Sequence, residues 1–255
     1  MEKTMVFYAV LVLFEVTLSL IGSLLPEPFY LIVYLLSFLI PVAIGVRRFK
    51  KERAVREAEA GVREETPNYF GIRRRDALFA IPIGIISVGL VFLVSYLTTL
   101  VLSLFNISGA PSYSGDFTTL LFRNALIPAF LEELLFRYLP ILLLAPHGKW
   151  RAVVLSSVLF ALAHASVYQM PYALIAGVIF ITADLIFDSV LPSLAFHLLN
   201  NAVSVIWMFY INTDTRITVF VSVLSASVLV SLIVTAVFWR EYKKLFSNCF
   251  KSAKK

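Results

Sequence analysis

Charge is scarce in this chain. Only 15% of its 255 residues are Asp, Glu, Lys or Arg, where a soluble domain carries about a quarter. Cysteine is nearly absent. The single Cys249 excludes an intrachain disulfide and any cysteine-based metal cluster. It stands in a basic tail, KLFSNCFKSAKK, as an ordinary free thiol, with reversible palmitoylation a weaker option. Histidine occurs three times, so any imidazole chemistry has few places to be. No small-residue cleavage site follows the first apolar run, which is also too long for a signal peptide. What the chain does have is apolar length. Hydrophobic residues make up 60% of it, arranged in runs near the roughly 20 residues that cross a bilayer as a helix. A polytopic, all-α membrane protein follows. The net charge of +6 does not indicate a nucleic-acid partner, because the basic residues cluster beside apolar runs, where membrane topology accounts for them.

The patterning predicts eight transmembrane helices, at about 5–25, 28–46, 77–105, 118–144, 151–168, 171–187, 190–210 and 217–239. Segment 47–76 holds ten Lys and Arg, from Arg47 to Arg75, and six more follow Trp239. The positive-inside rule places both stretches, and both termini, in the cytoplasm, and an even number of spans allows it. The stretch RRFKKERAVREAEAGVREET mixes charge signs at helical spacing and reads as a solvated helical extension, ended by Thr66-Pro67-Asn68. The expected organisation is one structural unit: N-terminal helices over 1–117, a core over 118–205, and a final span with a basic tail over 206–255. The protein is expected to be multi-pass in the cell membrane, with membrane lipid as a standing partner.

Two adjacent carboxylates, Glu132 and Glu133, interrupt the run LLFRNALIPAFLEELLFRYLPILLLA. Ionisable groups at membrane depth are expensive and mark function by default. Glu133 and Arg137 are four apart on one helix face, which suits a buried ion pair. Glu132 points about 100° away on an α-helix and is free to face a cavity as a general base for water. In FALAHAS, Phe160 and His164 share a face. In FHLLNNAVS, His197 and Asn201 share one and offer two donors to one oxygen, as an oxyanion requires. Depth estimates from ~1.5 Å rise per residue put Glu132 ~18 Å, His164 ~20 Å and His197 ~10 Å from the cytoplasmic face. A common site in the middle-to-cytoplasmic part of the bundle is therefore expected. Glu15 is expected to find a partner on another helix or lie at an interface. Asp184 is expected to snorkel or cap, Arg123 to reach the outer interface, and His147 to be solvated.

EELLFR fits EExxxR, FALAH fits FxxxH and HLLNN contains HxxxN. In order and spacing these resemble the CPBP family of intramembrane proteases, which includes the type II CAAX prenyl endopeptidases and bacteriocin-processing or self-immunity proteins. The resemblance spans about 118–205. It implies endopeptidase activity on a peptide or protein substrate, lipidated or not, that enters a cavity open to the membrane or the cytoplasm. Carried over by position, it implies that Glu132 activates water with help from His164, that His197 and Asn201 stabilise the oxyanion, and that Glu133, Arg137 and Phe160 support the site. No cofactor is expected. The alternative is zinc held by Glu132, His164 and His197 with an open position, although HExxH is absent. Two further functions compete: a non-catalytic immunity or scaffold protein of the same fold, and an ion or proton relay. The relay ranks last, because the outer halves of the spans look too apolar for a path across.

Overall fold

The computed structural model describes residues 2–62, 69–107, 115–211 and 213–250. They form helices and no strand. Eight helices answer the eight expected spans. They are α1 (Glu2–Gly22), α2 (Phe29–Ala60), α3 (Arg74–Leu104), α4 (117–143), α5 (Lys149–Ala163), α6 (Met170–Phe187), α7 (Leu191–Tyr210) and α8 (Asp214–Val237). Six of these, all but α4 and α5, are long and apolar enough to cross a membrane on length and composition alone. Together with the large apolar side chains exposed along them, they make this an integral membrane protein of all-α architecture. A ninth helix, α9 (Trp239–Phe250), was not expected.

Two spans depart from expectation. The fifth was expected to run to 168 but stops at Ala163, with His164 as its C-cap and Ala165 at φ 48°. The fourth is not one α-helix. Its α-helical pieces Phe117–Leu120, Ile127–Glu133 and Leu139–Leu143 are separated by π-helical turns at Leu121–Leu126 and Leu134–Tyr138. A π turn bonds i to i+5 and is rare outside functional places. The second is stabilised from outside: the Tyr8 hydroxyl of α1 donates to the Leu135 carbonyl at 3.3 Å, and the Ser156 hydroxyl of α5 donates to the Phe136 carbonyl. Both donors are fully buried, where no carbonyl can be left to water.

The helices alternate in direction, so the bundle has two distinct ends. One end carries the α2 extension, the α4–α5 turn around His147, the α6–α7 turn at 188–190, and α9. We call it the basic end. The extension continues to Ala60, laced by Arg48–Glu52 and Arg53–Glu57 pairs at 2.7 and 2.8 Å, and Gly61 ends it in the left-handed region at φ 64°. The expected breaker Thr66-Pro67-Asn68 lies outside the described residues. Across this end, the Val190 N–H donates to the Tyr69 carbonyl at 2.8 Å. The amphipathic α9 lies on it as well. Tyr242 donates to the Phe79 carbonyl at 2.9 Å, Cys249 to the Leu185 carbonyl at 3.0 Å, and Phe250 packs on Trp150. At the far end, Arg123 pairs with Glu27 at 2.9 Å and stacks over Tyr30, and Tyr168 donates to the Ile107 carbonyl at 2.7 Å.

Around the centre, α3, α4, α6 and α7 pack together, with the α1–α2 and α5–α6 pairs beside them. The α5–α6 pair is close because of Gly177, where a Cβ would stand 3.0 Å from the Ser157 Cα. Main core residues are Leu131, Leu135, Phe136, Leu139 and Leu143 of α4, with Tyr8, Phe38 and Phe160 against them.

Candidate active site

Three helices deliver the four polar groups to one cavity of about 780 Å³. Glu132 comes from α4, where it precedes the second π turn. His164 caps α5, and His197 and Asn201 come from α7. All four line the cavity, together with Phe160 of α5 and Phe180 of α6. The residues singled out in the sequence thus share one space, although they are spread over 70 positions of chain.

His197 is the junction. Its Nδ1 lies 2.7 Å from Glu133 Oε1. A carboxylate oxygen accepts, so this nitrogen carries the proton and donates. Its Nε2 faces the other carboxylate, 3.7 Å from Glu132 Oε2. The two glutamates were expected to separate on the helix, one toward Arg137 and one toward the cavity. They do separate, but His197 stands between them and touches both surroundings. His164 repeats the arrangement: its Nδ1 lies 2.8 Å from the Phe160 carbonyl, so it donates there and leaves Nε2 for the cavity. Both imidazoles are fixed in one orientation by an acceptor behind them.

Behind this layer, Glu133 and Arg137 are withdrawn from the cavity. Arg137 is fully buried, with its Nε 3.3 Å from Glu133 Oε2. Its guanidinium lies 4.2 Å from the Phe160 ring centroid and 5.4 Å from that of Phe180. An Arg over aromatic faces gains cation–π attraction, which strengthens out of water. Phe160 also meets His164 and His197 edge-on, with centroids at 4.8 and 5.8 Å. One ring therefore holds both imidazoles and the arginine, which accounts for a phenylalanine inside the FxxxH spacing.

Sequence reasoning missed three contributors. Phe180 sits 5.7 Å from His197 and bears on Arg137, but a phenylalanine in an apolar run carries no signal. Asn200, beside Asn201 on α7, lines the cavity and also braces it. Its Nδ2 donates to Ser87 on α3 at 3.1 Å and to the Phe196 carbonyl at 2.8 Å. Asp184 was expected to snorkel or cap. It is fully buried and caps: its Oδ1 accepts from the Ser193 N–H at 2.9 Å, in the first turn of the helix that carries His197. Glu15 is buried and accepts from Ser19 at 2.8 Å, which in turn meets Ser37 on α2 at 2.9 Å. Its partner is thus reached through a serine.

The cavity extends toward the far end of the bundle. There it is lined by Tyr30 of α2, Thr99 of α3, Arg123 of α4, Tyr168 and Gln169 after α5, and Met208 of α7. Each lies at or near the far end of its helix. The outer halves of the spans are also less apolar than they looked, because Ser95, Thr99, Asn124 and Gln169 all turn into the same space. Toward the basic end the path is closed by the buried Leu135, Phe136, Leu139 and Leu143. A blind cavity suits a reaction chamber better than a relay. No three His, Cys, Asp or Glu among the described residues stand close enough to hold a metal ion. Glu132 and His197 are neighbours, 3.7 Å apart.

Residues 114–203 match the family model described as Type II CAAX prenyl endopeptidase Rce1-like. The stretch covers all three motifs and every residue of the cavity floor named above, and it bears out the resemblance read from their order and spacing. It supports an intramembrane protease of CAAX type at the level of the family. No curated protein and no solved structure matches the chain.

Proposed function

We propose that this protein is an intramembrane endopeptidase that hydrolyses a peptide bond with a glutamate-activated water. One observation supports it above the rest: four separated polar side chains meet in one blind cavity of an otherwise apolar bundle, with a carboxylate and an arginine buried behind them. In this reading Glu132 takes a proton from water as the oxygen attacks the carbonyl carbon. His164 Nε2, left free by the bond at Nδ1, orients that water. The developing oxyanion is met by His197 Nε2–H and by the Asn201 amide. Serving Glu133 from Nδ1–H and the oxyanion from Nε2–H requires the imidazole of His197 to hold both protons in this scheme. As the C–N bond breaks, the proton held by Glu132 passes to the leaving amine. No cofactor enters this scheme. The substrate is a peptide or protein segment, such as a CAAX-like C-terminal tail with or without its lipid.

The test is proteolysis by purified, metal-stripped protein in detergent, with prenylated and unprenylated CAAX peptides beside the Glu132→Gln variant. Cleavage that survives chelation and falls by at least about 10²-fold in the variant is the expected result. Loss on chelation with recovery on added zinc would move Glu132 and the histidines to metal ligation. Binding of peptide without cleavage would favour an immunity or scaffold role.

A further inference from the structure

A second concave surface, a groove of about 410 Å³, lies at the basic end between the start of α3 and one stripe of α9. Ligand sites run from roughly 300 to 1,000 Å³. Arg73, Arg75, Asp76 and Phe79 form one wall. Arg240, Glu241, Lys244, Leu245 and Asn248 form the other, at the spacing that keeps side chains on one helix face. The two walls are tied together. Tyr242 donates to the Phe79 carbonyl at 2.9 Å, and its ring meets that of Phe79 with centroids 5.3 Å apart. Phe238 meets the same ring at 5.8 Å. The groove is thus formed before anything enters it.

Its charge is unbalanced. Asp76 is buried and takes up Arg73, with Nε 2.6 Å from Oδ2. Arg75 lies over the Phe79 ring, 5.7 Å from its centroid. Among the described residues, Arg75, Arg240 and Lys244 make no ion pair. Against these three cations the groove offers one further carboxylate, Glu241. Cations gathered around one concavity favour an anion with several acceptor oxygens, and phosphate suits both guanidinium and ammonium donors.

The level of the groove selects the source of that phosphate. Both α3 and α8 are long and apolar enough to cross a membrane. Leu78 and Ile81 of α3 are exposed, as are Val237, Phe238 and Trp239 at the α8–α9 junction. The groove therefore stands at the step from charged helix ends to an apolar wall, where lipid headgroups lie. Basic pockets between membrane helices at this level hold anionic headgroups. A free phosphate ester would engage the cations and leave the wall uncovered, whereas a phospholipid engages both.

We propose that this groove binds an anionic membrane phospholipid, with its phosphate on Arg75, Arg240 and Lys244 and its acyl chains along the apolar wall of α3 and α8. Glu241 and Asn248 are left for hydroxyl groups of the headgroup. A zwitterionic headgroup brings its own cation and leaves the excess positive charge unmatched. The bound lipid bridges α3 and α9, two elements outside the proposed catalytic set.

The test is native mass spectrometry of the full chain in detergent with equal amounts of phosphatidylglycerol, phosphatidylethanolamine and phosphatidylcholine of the same acyl chains. The expected result is retention of phosphatidylglycerol over both zwitterionic lipids by about tenfold or more. Arg240→Gln with Lys244→Gln should lower that retention at least about tenfold, since each cation near an anionic lipid is worth about fivefold. Lys50→Gln with Lys51→Gln removes equal charge from the same end, on the α2 extension, and should change nothing. All four positions are exposed. Equal retention of either zwitterionic lipid by the unaltered protein would overturn the proposal without any variant. So would equal losses in the two double variants, because the attraction would then belong to the whole basic end. Displacement of the lipid by glycerol 1-phosphate would overturn it in favour of a free phosphate ester. No cleavage is read, so this inference and the protease reading fail separately.

Discussion

At the scale of single residues, Glu133 carries the most instructive role. It is in contact with Arg137 on one side and His197 on the other, and is not part of the lining of the central cavity. In the proposed reaction it positions His197 without touching substrate. Glu133→Gln should lower kcat about 10–100-fold, the usual cost of losing an outer-shell carboxylate on a histidine, with KM nearly unchanged. It should also destabilise the fold by about 3 kcal/mol, because Arg137 is left a buried, unpaired cation. Adding Arg137→Met removes that cation. The double variant should recover much of the thermal stability and none of the kcat, and steady-state kinetics beside a melting curve would separate the two effects. Recovery of both would assign Glu133 to structure alone. The pair of Glu133 with Arg137 was legible in the sequence because i,i+4 spacing names its own partner. The bond from Glu133 to His197 was not, since it joins positions 64 apart and depends on how α4 meets α7. Phe180 was illegible for a different reason: its value lies in where its ring faces, and an apolar run says nothing about that.

At the scale of elements, the spans were legible and the irregularities were not. Apolar length gave the eight helices α1 to α8, six of them long and apolar enough to cross a membrane, to within a few residues, except that α5 ends at Ala163. Periodicity within α4 could not reveal its π turns, because every residue from Leu134 to Tyr138 suits an ordinary helix. The second turn exists where Tyr8 and Ser156 meet the Leu135 and Phe136 carbonyls, and both donors are distant in sequence. These bonds bear on function, since the turn lies between Glu133 and the rest of α4 and carries Arg137. Replacing Tyr8 with Phe and Ser156 with Ala should leave the two carbonyls without side-chain donors, at about 1–3 kcal/mol for each buried group. The expected outcome is a shift of the turn toward α-helical bonding and a loss of cleavage, although neither residue lines the cavity. Amide hydrogen exchange across 134–140, set beside the cleavage rate, would check it. Unchanged exchange and full activity would mean that the turn is held by the local sequence.

At the scale of the whole molecule, the two ends behave as separate modules joined by the bundle. The cavity and its chemistry occupy the middle and far part, and α9 closes the basic end through contacts that involve no cavity residue. Cys249 reports on that closure. Burial holds its thiol pKa above the ordinary value, partly offset by Lys149, whose Nζ lies 3.4 Å from the sulfur. A raised pKa leaves less thiolate at a given pH, and thiolate is the reactive form. In the folded protein, alkylation of Cys249 by N-ethylmaleimide near pH 8 should therefore be slower than in the denatured chain. Phe246 packs on Trp150 and Phe250, and Phe246→Ala removes part of the apolar face that seats α9. With α9 loosened, Cys249 becomes solvated, its pKa falls back toward that of a free thiol, and alkylation accelerates at every pH below that value. Cleavage should be unaffected, because the contacts that seat α9 involve no cavity residue. If loosening α9 instead altered cleavage as strongly as alkylation, the basic end would be coupled to the site through α5 and α6, whose ends α9 covers. The separation of the two modules would then be refuted.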